Sequence, residues 1–343
     1  MKILKLITVV ILFCFNYSII YAQIPINTFD ISKTKPPKAV PANGMKIFYI
    51  VKAGENEFWQ IVLDGAKKAA KHFGAKLIHQ EPTSEFEISK QVSILETSFS
   101  TNPSAIVIAP AATDALVPTI EKAYLKGLPV IIIDSKANTN KYVSFIGSNN
   151  YLLGQKSADE MAQILKKEKG TSSGKVAAIT YVSGVASLDD RINGFVDRIK
   201  EKYPDIKIVS IMDARGQVGN TIEVVKNLLT AHKDLNGLFA NNQMTGDDMV
   251  RALDILKRKD LATIAIDTSG QEIWGVENGY LDAVLTQDPW HMGYFSVAYA
   301  IMARNGVPLP KEVDTGAIVI TKEELNSKLV KSIIKPFEYY KDW

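Results

Sequence analysis

From Met45 onward the hydrophobic period of the chain switches repeatedly between two residues and 3.6. Short apolar, β-branched runs alternate with amphipathic stretches of helical spacing. Lys46 to Val51 reads as strand, Glu57 to Phe73 as helix, Ala75 to His79 as strand and Ile88 to Ser100 as helix. Strands at Ala105 to Ala109, Val130 to Asp134 and Tyr142 to Gly147 follow, with helices around Ala115 to Lys126 and Tyr151 to Lys169. Runs such as Ile106-Val107-Ile108 and Val130-Ile131-Ile132-Ile133 are apolar throughout, as parallel strands need when helices cover both faces.

The cycle restarts at Lys175 to Tyr181. It runs through helix Asp189 to Lys202, strand Lys207 to Met212, helix Asn220 to His232, strand Gly237 to Ala240, helix Asp247 to Leu256 and strand Thr263 to Ile266. A further βα unit, Ala283 to Thr286 and Trp290 to Ala303, comes after this second set is complete. The chain is therefore expected to form two doubly wound parallel-sheet α/β lobes joined by a multi-strand hinge. The expected first lobe is 45–149 plus 288–315; the second is 150–287 plus 316–343, including the tail.

Ahead of Met45 stand two segments of different character. Lys2 and Lys5 precede an apolar run from Leu6 to Phe15, and Ile20-Tyr21-Ala22 ends the stretch. That is the layout of a secretory signal peptide over residues 1–22, cleaved after Ala22, so the mature protein is expected to be exported. A membrane anchor is the alternative, although the run is short for a span and Asn16 interrupts it. Lipid attachment at Cys14 would need small residues where Leu12-Phe13 stands. Residues 23–44 are polar, carry Pro25, Pro36, Pro37 and Pro41, and read as an extended linker.

Composition narrows the function classes. With 343 residues, 46% of them hydrophobic, the chain can bury full cores. Forty basic residues against 37 acidic ones give +3, and loss of Lys2 and Lys5 with the leader takes this to +1. No nucleic-acid partner is implied, since such binding needs a basic surface. Cys14 is the one cysteine, so a mature chain lacking it has no thiol nucleophile or disulfide.

Enzyme motifs fail on inspection. Gly170-Thr171-Ser172-Ser173-Gly174-Lys175-Val176 imitates a phosphate-binding loop but has the wrong spacing and precedes its strand, so it reads as a surface turn. His72, His79, His232 and His291 form no metal-binding pair, and no nucleophile elbow or glycine-rich dinucleotide fingerprint occurs. No enzyme, metal or cofactor is expected.

Ligands of doubly wound sheets bind outside the carboxyl ends of the strands. The residues there are Asn56, Phe58, Trp59, Asp134, Arg191, Asn242, Asp267 and Gln287. Carboxylates, amides and a guanidinium suit hydroxyl groups, which both donate and accept, and aromatic faces can cover the apolar side of a sugar ring. Taken singly, Asp134 and Asp267 could be helix caps, Asn242 a turn residue, and Phe58 and Trp59 core. Together, at the strand ends of two lobes, they form a candidate site.

The stretch from about Lys46 to Glu324 resembles the ribose- and galactose-type periplasmic sugar-binding proteins. The resemblance rests on Asn56-Glu57-Phe58-Trp59 with Leu63-Asp64-Gly65-Ala66, Pro129 to Asp134, Arg191-Ile192-Asn193-Gly194-Phe195, and Leu228 to His232 before Phe239-Ala240-Asn241-Asn242. Ile266-Asp267, Leu285 to Pro289, Asp314-Thr315-Gly316 and Val319 to Lys322 complete it. It implies a type I periplasmic binding protein fold whose lobes close on a monosaccharide or related polyol. It also implies the eight strand-end residues as ligand contacts and delivery of the ligand to the permease of an ABC importer. A ligand-sensing subunit for a chemoreceptor or sensor kinase is the alternative, and a monomer is expected. The sequence departs from the ribose pattern at Ser135, at Arg215-Gly216 and at Lys52, which leaves the particular sugar open; Ser135 joins the candidate site. Asp134, Arg191 and Asp267 are expected at solvent-accessible strand ends, and Trp59 and Trp290 as fluorescence reporters.

Overall fold

A computed structural model describes residues 41–340 apart from Glu55 and Val218. The expected signal peptide, Cys14 and most of the linker lie outside the described residues, as do the last three residues of the tail. Strands form where the apolar runs predicted them. Every residue of β3 (Ala105–Ile108) and β4 (Val130–Ile133) is buried, as sheets covered on both faces demand. Helix α1 (Glu57–Phe73) begins at Asn56, whose side chain accepts a hydrogen bond from Trp59 N, and stops at left-handed Gly74. Helix α4 (Asn150–Lys169) is capped in the same way by Asn149 and Gly170. The turn of 171–173 that follows leads straight into β6 (Gly174–Thr180), so the phosphate-loop imitation is a surface turn.

The strands fall into two six-stranded sheets. With β1 (Lys46–Ile50), β2 (Lys76–Gln80), β5 (Ser144–Gly147) and β11 (Glu312–Asp314), the first has the order β2-β1-β3-β4-β5-β11, parallel throughout. The second contains β7 (Ile206–Asp213), β8 (Leu235–Ala240), β9 (Ala262–Ile266), β10 (Ala283–Thr286) and β12 (Ile318–Thr321), in the order β7-β6-β8-β9-β10-β12. Here β12 runs antiparallel to β10, a departure from the all-parallel expectation. The reason is geometric: β11 ends at the face between the lobes, so β12, entering the second sheet there, must run away from that face.

Each lobe holds one tightly crossed helix pair. In the first, α1 packs on α9 (Pro289–Arg304); in the second, α4 packs on α5 (Ala186–Lys202). Small residues let the backbones touch: a Cβ on Gly65 would lie 2.0 Å from Trp290 O, and one on Gly154 would lie 2.0 Å from Arg191 O. Strand β10 belongs to the second sheet while α9 covers β3, β4 and β5 of the first, so the chain crosses between lobes again after residue 286. The tail corrects the expected division. Beyond β12, α10 (Lys328–Ile334) leads to α11 (Pro336–Tyr339), which contacts α1, and the Tyr340 ring stacks on Trp290 with centroids 4.3 Å apart. The aromatic surface of α9 thus draws residues near 340 to the first lobe, not the second.

Candidate functional site

Strands β4 and β9 occupy equivalent places in their sheets, and each ends in Ile-Asp. Both aspartates have positive φ, 61° at Asp134 and 95° at Asp267. Non-glycine residues rarely adopt such backbone, and it collects at functional sites where neighbours impose it. Here the neighbours are strands: Asp134 N donates to Ile146 O at 3.0 Å, and Asp267 N to Leu285 O at 2.9 Å. Neither aspartate caps a helix, which disposes of the cap alternative; Ser269 caps α8 (Gly270–Asn278) instead. Nor are they solvent-accessible in this closed arrangement. Asp134, Arg191 and Asp267 are 3%, 2% and 6% exposed, because the lobes have shut over them.

The carboxylates are held by cations from different elements. Lys52, just past β1, places Nζ 2.6 Å from Asp134 Oδ2 and donates to the hydroxyls of Ser135 and Ser187. Ser135 stands behind Asp134, its Oγ 3.0 Å from Asp134 Oδ2 and 2.7 Å from Ser187 Oγ across the lobes, its one proton shared between them. It supports the site from outside the cavity wall. Arg191 is not at a helix start, since α5 begins five residues earlier; it lies in the second turn. Its Nε donates to Asn150 Oδ1 and its Nη1 to Asn241 O, both at 2.8 Å, which leaves Nη1 3.9 Å from Asp267 Oδ2. Burial pushes the Asp267 carboxyl above the usual carboxylate range, with the Arg191 charge opposing it.

Amides complete the polar wall. Gln287 Nε2 donates to Asp267 Oδ1 at 3.0 Å, while its Oε1 is buried with no hydrogen-bond partner among the described residues. A buried acceptor left over in this way wants a donor from a ligand. Asn242 caps α7 (Gln243–Leu256), its Oδ1 accepting from Thr245 N, so the turn role and a place in the site coexist in one residue. On the facing side Phe58 and Trp59 meet edge to face, with centroids 4.9 Å apart. The lobes are joined there by Phe58 N donating to Gln243 Oε1 at 3.0 Å and Gly270 N donating to Glu57 Oε2 at 3.1 Å.

These groups line a small cavity between the lobes. Its wall includes Asn56, Phe58, Trp59, Asp134, Arg191, Asn242, Asp267 and Gln287, and so brings together all eight predicted strand-end residues. It also includes five that were not predicted for the site: Lys52, Glu85, Ser187, Leu188 and Gln243. Lys52 was visible as a departure from the ribose pattern, and Gln243 follows a predicted residue. Glu85 lies in a loop with no periodic signal, and Ser187 in the first turn of α5, ahead of the stretch read as helix. Trp290 does not reach the cavity; its Nε1 donates to Asp64 Oδ2 at 2.9 Å within the first lobe. His291 is likewise packed inside, with Nδ1 2.7 Å from Asp288 Oδ2. Trp274 stacks on Tyr280 on the outside of the second lobe.

Two α/β lobes closed over a polar cavity with one aromatic corner define a two-lobed solute receptor. The chain belongs to the periplasmic binding protein domain family, whose model matches residues 47–306. It is 26% identical to the ribose import binding protein of Escherichia coli over 294 residues, 85% of this chain and 93% of that protein. A carbohydrate transporter solute-binding protein from Agrobacterium radiobacter, solved with D-arabinose, superposes with a TM-score of 0.83 at 32% identity, covering 85% of this chain and 99% of that one. An ABC transporter solute-binding protein from Agrobacterium vitis with bound D-fucose gives 0.80 at 31% identity, with coverage of 84% and 99%.

Proposed function

We propose that this chain is the receptor of an ABC importer for a monosaccharide or related polyol, bound between the lobes and released to the permease without chemical change. The observation that carries this reading is the convergence of Asp134 and Asp267, one from each lobe, on a cavity with the Phe58–Trp59 corner at one side. Carboxylates accept from sugar hydroxyls, Arg191 and Lys52 donate and balance their charge, and the rings cover the C–H face. Because contacts come from both lobes, ligand favours the closed state, which is the signal a membrane partner can read. Ribose, D-arabinose and D-fucose are among the sugars named for similar proteins, which supports a monosaccharide ring. The similar proteins are import or transporter binding proteins, which favours import over the sensory alternative. Export by the leader of residues 1–22 and a monomeric state belong to the same proposal.

Thermal shift of the purified protein against pentoses, hexoses, 6-deoxyhexoses, polyols and sugar acids tests it. A sugar at 100 times its Kd should stabilise the fold by about 2.7 kcal/mol, and Trp59 fluorescence should change while Trp290 stays silent. No response to any sugar would overturn the reading.

A further inference from the structure

The loop between β2 and α2 (Ile88–Ser98) is built like a small lid hinged on its own turn. The Glu87 carboxylate accepts from Thr83 N at 2.7 Å and Ser84 N at 3.2 Å, and Glu87 N donates to Ser84 O at 3.1 Å. This closed turn sends its two central side chains to different places. Glu85 goes inward: it is 6% exposed, lines the cavity, and its Oε1 accepts from Trp59 Nε1 at 2.9 Å. Phe86 goes outward and across to the other lobe. A Cβ on Gly216 would sit 3.0 Å from Phe86 Cδ1, so the ring lies against that glycine. Gly216 is a fixed seat, since its N donates to Tyr181 O at 2.7 Å and its O accepts from the Tyr181 hydroxyl at 2.8 Å. Its φ of +65° suits glycine, and with Arg215 beside it the second lobe offers no ring of its own at this turn. A half-exposed phenylalanine from the first lobe supplies one.

We propose that this loop sets the sugar specificity of the receptor: Glu85 accepts a hydrogen bond from one ligand hydroxyl, and Phe86, seated on Gly216, shuts the cleft mouth behind it. This rests on the reading of the cavity as a sugar site. Glu85 is a third acidic group in a wall whose cations are Lys52 and Arg191. An acidic wall with one more acceptor than its pairing needs selects a neutral, hydroxyl-rich ring over a sugar acid. The carboxyl is raised chiefly by burial and held back by Lys52, so a ligand hydroxyl beside it replaces lost water.

The test is calorimetric titration of wild type, Glu85→Gln and Phe86→Ala with D-ribose, D-arabinose and D-fucose, and then with the monodeoxy analogues of the sugar that wild type binds best. Glutamine keeps an acceptor for the Trp59 indole. The expected result is a 10- to 100-fold loss for Glu85→Gln on the parent sugar, with no loss on one deoxy analogue, the one lacking the hydroxyl that Glu85 holds. Phe86→Ala should speed ligand release at least fivefold in stopped-flow fluorescence with little change in association. Equal losses on every analogue would reduce Glu85 to a prop for Trp59 and overturn the proposal, as would binding within twofold of wild type by both variants. If wild type itself binds none of the sugars, the reading of the cavity fails and the proposal with it. The two failures are told apart by the wild-type titration alone.

Discussion

Lys52 and Asp134 are a pair whose worth depends on both members being present. With the lobes shut, removing one leaves a buried charge uncompensated, which costs about 3–5 kcal/mol, or two to three powers of ten in affinity and more. Asp134→Ala and Lys52→Met should each lose at least a hundredfold in sugar affinity by calorimetry. The double variant should lose clearly less than the two losses multiplied, because it strands no charge. Independent effects would show that the pair is not coupled. A second buried acid lies away from the cavity. Burial raises Asp247 to about 6; Ser269, Arg251 and Gln243 oppose the shift and Glu57 of the first lobe adds to it. Glu272 nearby is fully buried and its carboxyl is pushed well above the usual range, by burial first and then by Asp247. A carboxyl raised on folding stabilises below its unfolded pKa, and that contribution is lost as pH rises through the folded value. Asp247→Asn should therefore melt close to wild type at pH 3.5 and above it at pH 7.5. A constant difference between the two pH values would rule this out.

Helices carry the site to its place, and their contacts set its tolerance. Arg191 sits on α5, whose backbone touches α4 where Gly154 lies against Arg191 O and Gly194 against Tyr151 O. A methyl at Gly154 must push the helices apart, which costs about 1–3 kcal/mol and moves the guanidinium away from Asp267. Gly154→Ala should lower the Tm and weaken sugar binding together; a lower Tm with unchanged affinity would show that α5 yields elsewhere. Sequence reading reached most elements because their periods are long: α1 runs 17 residues with one buried face, and β4 is four apolar residues in a row. It missed α8, nine residues carrying two glycines, and β11, three residues of which only Val313 is apolar. It put the start of α5 three residues late because Ala186, Ser187 and Leu188 show no polar stripe until Asp189 follows them. In the site, residues at strand ends were legible because parallel strands must finish there. Glu85 was not, since a loop residue reaches a cavity through tertiary closure, which leaves no period behind, and Ser187 was not because it stands in the first turn of α5, ahead of the predicted helix start.

At the scale of the whole molecule, closure is built from contacts spread around the cleft. Ser135 meets Ser187 above Lys52, Phe58 meets Gln243, Glu57 meets the first turn of α8, and Thr113 N reaches Gly184 O at 3.4 Å. Each is a modest bond, so the shut state needs the ligand to add its share, as a receptor that must also release its cargo requires. The path of the chain matters as much as these bonds. It enters the first lobe at β1, and after β12 it returns there, Tyr340 lying flat on Trp290. Both ends of the folded body are therefore carried by the same moving part. A pair of fluorescent labels at residues 42 and 340, the two ends of the described body, would ride together and be blind to sugar. Moving one of them to Thr171, exposed on the opposite lobe, would turn the same protein into an optical sensor of its own closure.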